Sequence, residues 1–195
     1  MEDLNYIRPP SKLRFIQERT TGLQFSMASE PLVGAILRTL AASKPGGRFL
    51  ELGTGTGIAT AWILEGMDAA SALISVDNDR AVQQVASDSL GADGRLTLVT
   101  SGGLEFLRSQ PAASFDFVFA DAMPGKYEGL GDALAVVKPG GFYVIDDMLP
   151  QPNWPEGHAD KVPVLMEQLA AHSSFEILPL RWASGVVVAV RKSTR

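Results

Sequence analysis

The 195-residue chain is 46% hydrophobic and 20% charged, which is typical of a globular protein with one sizeable core. Its net charge of −5 gives no general attraction to phosphate backbones, so we do not expect nucleic-acid binding. The absence of cysteine excludes disulfides, cysteine–zinc sites, iron–sulfur clusters and thiol nucleophiles. Since neither a signal-peptide pattern nor a bilayer-length apolar stretch occurs, we expect a cytoplasmic protein without membrane contact.

Residues 1–28 lack a regular pattern, and we interpret them as an N-terminal extension of a single domain over residues 29–195. Apolar residues at helical spacing predict a leading helix over residues 32–40. Short apolar runs typical of buried strands follow at 49–52, 72–76, 96–99, 115–120 and 142–145. Helical segments are predicted at 58–64, 79–90, 103–107, 127–137 and 161–171.

This alternation of strands and helices predicts a parallel sheet with helices on both faces and right-handed crossovers. Two further strand-like runs, 175–182 and 185–190, are separated by two residues, which is too short for a crossover and predicts an antiparallel hairpin. The expected fold is therefore α/β and Rossmann-like, with a mixed seven-stranded sheet. In such sheets ligands bind beyond the carboxyl ends of the strands.

The loop after the first predicted strand, residues 51–57, has the sequence Glu-Leu-Gly-Thr-Gly-Thr-Gly. Alternating glycines permit positive φ and let a ligand approach the backbone, next to the free N–H groups of a helix start. A dinucleotide fingerprint would need a third glycine where Ile58 or Thr60 stands, so a nicotinamide cofactor is disfavoured. The Walker phosphate-loop pattern also fails, because Gly125-Lys126 is followed by tyrosine.

The second predicted strand ends at Asp77. An acid at this edge beside a glycine loop can accept hydrogen bonds from the vicinal hydroxyls of a ribose. Alternatively, Asp77 or Asp79 caps the helix that follows. We favour ribose binding for Asp77 and capping for Asp79.

The glycine loop and Asp77 together resemble the class I S-adenosylmethionine-dependent methyltransferases. The resemblance implies that the first acid of the loop holds the methionine ammonium, directly or through water, and that the loop wraps methionine and ribose. It also implies an adenine pocket after the third strand, although a simple loop is an equal alternative there. The implied cofactor contacts are Glu51, Gly53, Thr54, Gly55, Gly57, Asp77, Asn78, Ser101, Gly102 and Asp121.

Residues 114–121 and 137–147 resemble the catechol and caffeoyl-CoA O-methyltransferases. In those families acids ending the fourth and fifth strands bind a divalent cation that grips the acceptor's vicinal oxygens. Asp121, Asp146 and Asp147 take those places here, which implies Mg²⁺, Mn²⁺ or Ca²⁺. Three converging carboxylates would repel one another without a cation between them, and hard cations prefer oxygen ligands.

Two positions depart from that pattern. Pro124 stands where the families carry a lysine that acts as a base, and Asp147 stands where they carry asparagine. Lys126 could reach inward instead, or it is solvated as loop lysines usually are. His158, in the loop after the fifth strand, is either a base or a solvated histidine. The candidate catalytic residues are therefore Asp121, Lys126 and His158.

The predicted function is O-methylation of a small, catechol-like acceptor by S-adenosylmethionine, assisted by a divalent metal. Because the aligned lysine is missing, a cofactor-binding protein without catalysis is an alternative. Methylation of nitrogen or RNA is another, which the acidic composition and the lack of an Asn/Asp-Pro-Pro-Tyr-like signature disfavour. The expected partners are the small acceptor and a second copy of the chain, in a homodimer.

Overall fold

Seven strands form one sheet in the computed structural model, which describes residues 3–193, with the backbone alone for residues 3 and 4. The sheet order is β3-β2-β1-β4-β5-β7-β6. The strands are β1 (Arg48–Leu52), β2 (Ala72–Asp77), β3 (Leu96–Thr100), β4 (Phe115–Ala120), β5 (Val137–Ile145), β6 (Phe175–Leu180) and β7 (Val186–Arg191).

The first five strands are parallel, and β7 pairs antiparallel with both β5 and β6. The predicted mixed seven-stranded sheet with a C-terminal hairpin is thus confirmed. Strand order reverses beside β1, where β2 and β3 lie on one side and β4 begins the other. This reversal opens a crevice at the carboxyl ends of β1 and β4, the usual ligand position in open α/β sheets.

Helices cover both faces of the sheet. They are α1 (Leu13–Gly22), α2 (Pro31–Ala42), α3 (Ile58–Gly66), α4 (Arg80–Leu90), α5 (Gly103–Ser109), α6 (Leu130–Val136) and α7 (Lys161–Ala171), with a 3-10 helix at Asp3–Tyr6. Residues of α1 to α4 pack on one face, and residues of α5 to α7 pack on the other. Successive residues of a strand point to opposite faces of the sheet, so Phe117 packs with α1 to α4 and Val118 packs with α5 to α7. None of the described helices is long and apolar enough to cross a membrane.

The structure differs from the sequence prediction in four elements, one of which is β5, which begins at Val137 rather than at residue 142. The patternless N-terminal segment contains α1, whose Leu13 and Ile16 are buried in the same core as the sheet. Strand β3 is partly exposed rather than buried, because it forms an edge of the sheet. Helix α6 begins at Leu130 instead of residue 127, because the chain first makes a turn in which Tyr127 N and Glu128 N both donate to Met123 O.

Candidate functional site

A cavity of about 320 Å³ lies at the carboxyl ends of β1, β2 and β4. It is walled by the glycine loop on one side and by the segment between α1 and α2 on the other. Of the predicted cofactor contacts, its lining contains Gly53, Thr54, Gly55, Asp77, Asn78 and Asp121. Phe25, Met27 and Ser29 of the segment before α2 also line it, and sequence reasoning missed them because that stretch shows no periodicity.

The glycine loop depends on positive φ. Gly53 has φ +98°, and a Cβ there would lie 2.7 Å from the carbonyl oxygen of Asp121, so glycine lets the loop lie against the end of β4. Gly57 is different, since it is not among the cavity-lining residues. A Cβ on Gly57 would lie 2.7 Å from Cβ of Ala86 in α4. Gly57 thus has a packing role between α3 and α4, and its predicted cofactor contact stays a prediction.

Asp77 shapes the loop with its own carboxylate. Its Oδ2 accepts a hydrogen bond from Gly55 N at 2.7 Å, and its Oδ1 accepts one from Asp79 N at 2.8 Å. Each oxygen keeps a lone pair that a ligand hydroxyl can use. Asp79 instead caps α4, because its Oδ1 accepts from Ala81 N and Val82 N, as predicted.

Glu51 is fully buried behind the loop and is not among the residues that line the cavity. Its predicted contact with the methionine ammonium, directly or through water, stays a prediction. Its Oε2 accepts from Thr60 and Ser75, whereas its Oε1 has no partner. Burial raises the pKa of Glu51 to about 7, against the opposing effect of these two hydrogen bonds.

A chain of neutral groups links Glu51 to the loop. Ser75 donates to Glu51, so the Thr54 hydroxyl is the donor toward Ser75, and Thr54 in turn accepts from Gln83 Nε2 at 3.0 Å. Gln83 also accepts from the Thr100 hydroxyl at the end of β3. Sequence reasoning missed Gln83, whose signal is a polar residue at a buried position of an amphipathic helix. This network fixes three strand ends relative to one another.

A second cavity of about 250 Å³ adjoins the first and shares Gly53, Asp77 and Asn78 with it. Gly102, at the end of β3, lines this second cavity. Ser101 is not among the lining residues of either cavity, and its predicted contact stays a prediction. Together the two cavities offer an elongated site divided at Asp77, which suits a nucleoside with a substituent on its ribose.

On the other side of the first cavity lies a small polar cavity of about 130 Å³. Asp121, Asp146 and Asp147 all line it, so the structure brings the three predicted acids together at the ends of β4 and β5. Asp121 and Ser29 line both this polar cavity and the larger one. The two spaces therefore meet at Asp121.

One carboxylate oxygen of Asp121 and one of Asp146 accept hydrogen bonds from the protein. Asp121 Oδ2 accepts from Ser29 at 3.0 Å, and Asp146 Oδ1 accepts from Ser184 and from Asp147 N. Burial, and then the charge of Asp146, raises the pKa of Asp121 well above its usual value. Burial likewise raises the pKa of Asp146 to about 6.

The predicted divalent-metal site does not fit this arrangement. Within residues 3–193, no group of three or more acidic or histidine side chains is arranged to hold a metal ion. A lysine reaches the cluster instead. Lys126 is 3% exposed, and its ammonium donates to the carbonyl oxygen of Asp146 at 2.6 Å. The inward orientation of Lys126, one of two alternatives in the sequence, is thus the one that the structure shows.

His158 packs in an aromatic cluster beside the acids. Its ring lies 4.5 Å from that of Trp154 and 5.1 Å from that of Tyr127, measured between centroids. Burial, followed by the nearby Lys126 and Lys161, lowers the pKa of His158. The buried polar atoms Nε2 of His158, Nε1 of Trp154 and the hydroxyl of Tyr127 have no partner within the described part of the chain.

Fold and site together define a class of protein. The sheet order with its terminal hairpin, the glycine loop at the first strand end and the acid at the second are those of a Rossmann-like, nucleoside-binding methyltransferase fold. A family model described as a methyltransferase domain matches residues 50–148, just over half of the chain. The chain belongs to this methyltransferase family, and the predicted family membership is confirmed.

Two relatives of this chain are named as O-methyltransferases. A protein of Mycolicibacterium vanbaalenii named as an O-methyltransferase is 31% identical over 123 residues, which are 60% of this chain and 54% of the relative. One from Mycobacterium tuberculosis is 30% identical over 134 residues, 66% of this chain and 59% of the relative. The chain thus spans little more than half the length of these relatives.

Two solved structures share the fold over nearly the whole chain. The O-methyltransferase TomG from Streptomyces achromogenes, in complex with S-adenosylmethionine, has a TM-score of 0.82 at 22% identity and covers 96% of this chain and 92% of its own. The O-methyltransferase from Bacillus cereus, in complex with S-adenosylhomocysteine, has a TM-score of 0.81 at 18% identity, covering 96% and 93%.

Proposed function

We propose that this chain transfers the methyl group of S-adenosylmethionine to an oxygen atom of a small acceptor. The observation that carries the proposal is the position of Asp121, which lines both the nucleoside-sized cavity and the polar cavity. A donor in the first and an acceptor in the second would face each other across this side chain.

The residues of the larger cavities fit S-adenosylmethionine. Asp77 would accept from the ribose hydroxyls, the backbone of Gly53 and Gly55 would lie along the methionine portion, and Gly102 would border the adenine. The cofactor supplies an activated methyl group, whose bond to the sulfonium breaks as the bond to the acceptor oxygen forms, leaving a neutral thioether.

The protein must then position the acceptor and remove one proton. We assign the proton to the Asp121 carboxylate, because it borders both cavities and its raised pKa makes it a better base than an ordinary aspartate. Ser29 holds the other side of that carboxylate in place. Holding the two reactants in line supplies much of the remaining rate enhancement.

Two observations favour a small acceptor. The polar cavity measures only about 130 Å³, and the net charge of −5 gives no attraction to RNA. The named relatives and both solved structures described above are O-methyltransferases, which supports oxygen over nitrogen as the methylated atom.

The test is transfer of labelled methyl from S-adenosylmethionine to a panel of phenols, catechols and hydroxamates. We expect S-adenosylhomocysteine and the O-methylated product to form in equal amounts, and the Asp121→Asn variant to be inactive while it still binds S-adenosylhomocysteine. Cofactor binding without transfer to any oxygen acceptor would contradict the enzyme assignment and favour a binding protein.

A further inference from the structure

The acidic cluster has a cation of its own. Lys126 is almost completely buried, and its charge interacts with all three acids, most strongly with Asp121 and then with Asp147 and Asp146. A buried ammonium is costly unless negative charges surround it, and three converging carboxylates are costly unless a positive charge lies near them. The Lys126 ammonium and the three carboxylates therefore offset each other's cost of burial.

The local backbone holds Lys126 in this position. Gly125 has φ +84°, and a Cβ there would lie 2.4 Å from Cδ1 of Leu52, so only glycine fits the turn. Gly125 N donates to Glu128 O at 2.7 Å, and the buried Tyr143 hydroxyl donates to Gly125 O. The turn before α6 is thereby pinned on both sides, and the side chain of the next residue, Lys126, is directed inward.

The acids are also arranged for a compact monovalent partner. Asp146 offers Lys126 its backbone carbonyl, while its carboxylate Oδ1 accepts from Ser184. Asp121 accepts from Ser29. Ser29 and Ser184 thus each occupy one carboxylate oxygen of the cluster, and the ammonium occupies the Asp146 carbonyl, so part of the oxygen set that a divalent ion would collect is already used.

We propose that the Lys126 ammonium takes the electrostatic place of a divalent metal ion in this site, so that the chain methylates its acceptor without metal. This inference rests on the proposed function and deepens it. Lys126 is a positioning residue, since it acts through the field at Asp121 and at the acceptor oxygen. Because no ion chelates two neighbouring oxygens, the acceptor needs only one acidic hydroxyl, as in a simple phenol.

The test compares metal binding in the wild type and in the Lys126→Met variant, with Mn²⁺ as the probe in titration calorimetry. We expect no micromolar Mn²⁺ binding by the wild type and a gain of at least tenfold in Mn²⁺ affinity in Lys126→Met, whose three carboxylates lack their cation. Lys161→Met, which removes a neighbouring lysine on α7, is the matched control and should bind Mn²⁺ no better than the wild type.

Turnover gives the second readout. Wild-type turnover should change less than twofold in EDTA or on addition of Mg²⁺, and a simple phenol should be methylated within about tenfold of the rate for a catechol. Lys126→Arg should retain more activity than Lys126→Met.

Stoichiometric micromolar binding of Mn²⁺ by the wild type, loss of its activity in chelator, or no gain of Mn²⁺ affinity in a folded Lys126→Met variant would each overturn the inference. If Lys126→Met does not fold, the wild-type Mn²⁺ titration and the wild-type turnover in EDTA still decide. Absence of methyl transfer altogether would contradict the proposed function and leave the Mn²⁺ comparison readable.

Discussion

The two ends of the proposed site differ in the chemical groups that form them. At the cofactor end, backbone geometry dominates, with glycines at positive φ and an aspartate whose oxygens accept from backbone N–H groups. At the acceptor end, charged side chains dominate, with three carboxylates and one ammonium on loops that follow β4 and β5. Binding of the cofactor should therefore depend on the shape of the loop, and turnover on the charges.

The buried acids at the two ends of the site also differ in the groups that surround them. Glu51 is surrounded by neutral hydroxyls, and burial raises its pKa to about 7. Asp121 and Asp146 instead share a field with Lys126, which lowers their pKa against the effect of burial. The carboxyl group of Glu51 is therefore surrounded by neutral donors, whereas those of Asp121 and Asp146 lie beside a charged group.

The largest effect is expected for Asp121→Asn. It removes the proposed base, so kcat should fall about 10²–10⁴-fold, while the affinity for S-adenosylhomocysteine should change less than about fivefold. Labelled-methyl kinetics measure kcat, and calorimetry measures the affinity for S-adenosylhomocysteine. Asp160→Asn, on an exposed residue before α7, is the control and should leave both unchanged. A parallel loss of affinity and turnover would show that the two ends are not separable.

Glu51→Gln should change stability in a pH-dependent way. The folded-state pKa of Glu51 lies above its ordinary value of 4.5, so its contribution to stability is full below about pH 4.5 and is lost as pH rises through about 7. The shift corresponds to roughly 3 kcal/mol. We expect Glu51→Gln to raise the free energy of unfolding by roughly 1–3 kcal/mol near pH 8, with no gain below pH 4.5. Urea titrations across this range measure it, and a pH-independent difference would contradict it.

Asp77→Asn should weaken S-adenosylhomocysteine binding about tenfold to a hundredfold. An asparagine cannot accept from both Gly55 N and Asp79 N, because one of its two terminal atoms is a donor. The matched control is Asp79→Asn, on a residue that lines the same cavity and whose single capping oxygen an asparagine reproduces. Calorimetry should show a loss of S-adenosylhomocysteine affinity in Asp77→Asn and none in Asp79→Asn.

The smallest effect is expected for His158→Phe, which keeps a ring between Trp154 and Tyr127. If the ring only walls the acceptor space, kcat should fall less than about fivefold and the pH profile should keep its shape. A hundredfold loss together with a flattened acidic limb would instead identify His158 as the base.

Sequence patterns predicted the sheet well because buried parallel strands are continuous apolar runs, and because the connection between the last two strands, residues 181–185 in the structure, is too short for a crossover. They missed α1, since only three of its residues, including Leu13 and Ile16, are buried and most of the others are polar. The glycine loop was predicted by spacing, but spacing could not show that Gly57 packs against Ala86 rather than against a ligand.

At the acceptor end the acids were predicted, whereas the inward orientation of Lys126 was one of two alternatives that the sequence left open. Which way Lys126 points depends on the turn at Gly125 and on the Tyr143 hydroxyl, 18 residues away in the sequence. Local patterns do not contain such tertiary contacts. The same holds for Ser29 and Ser184, whose hydroxyls reach Asp121 and Asp146 across 92 and 38 residues.

The segment before α2 borders both cavities through Met27 and Ser29, and its Ser26 carbonyl accepts from Asn153 of the opposite loop. A methyl donor and an acceptor bound as proposed would share this wall, and ordering of the wall by one ligand would lower the entropic cost of binding the other. Their affinities would then be coupled, and by thermodynamic linkage the coupling would be reciprocal: an acceptor that tightens binding of the nucleoside by some factor would have its own binding tightened by the same factor.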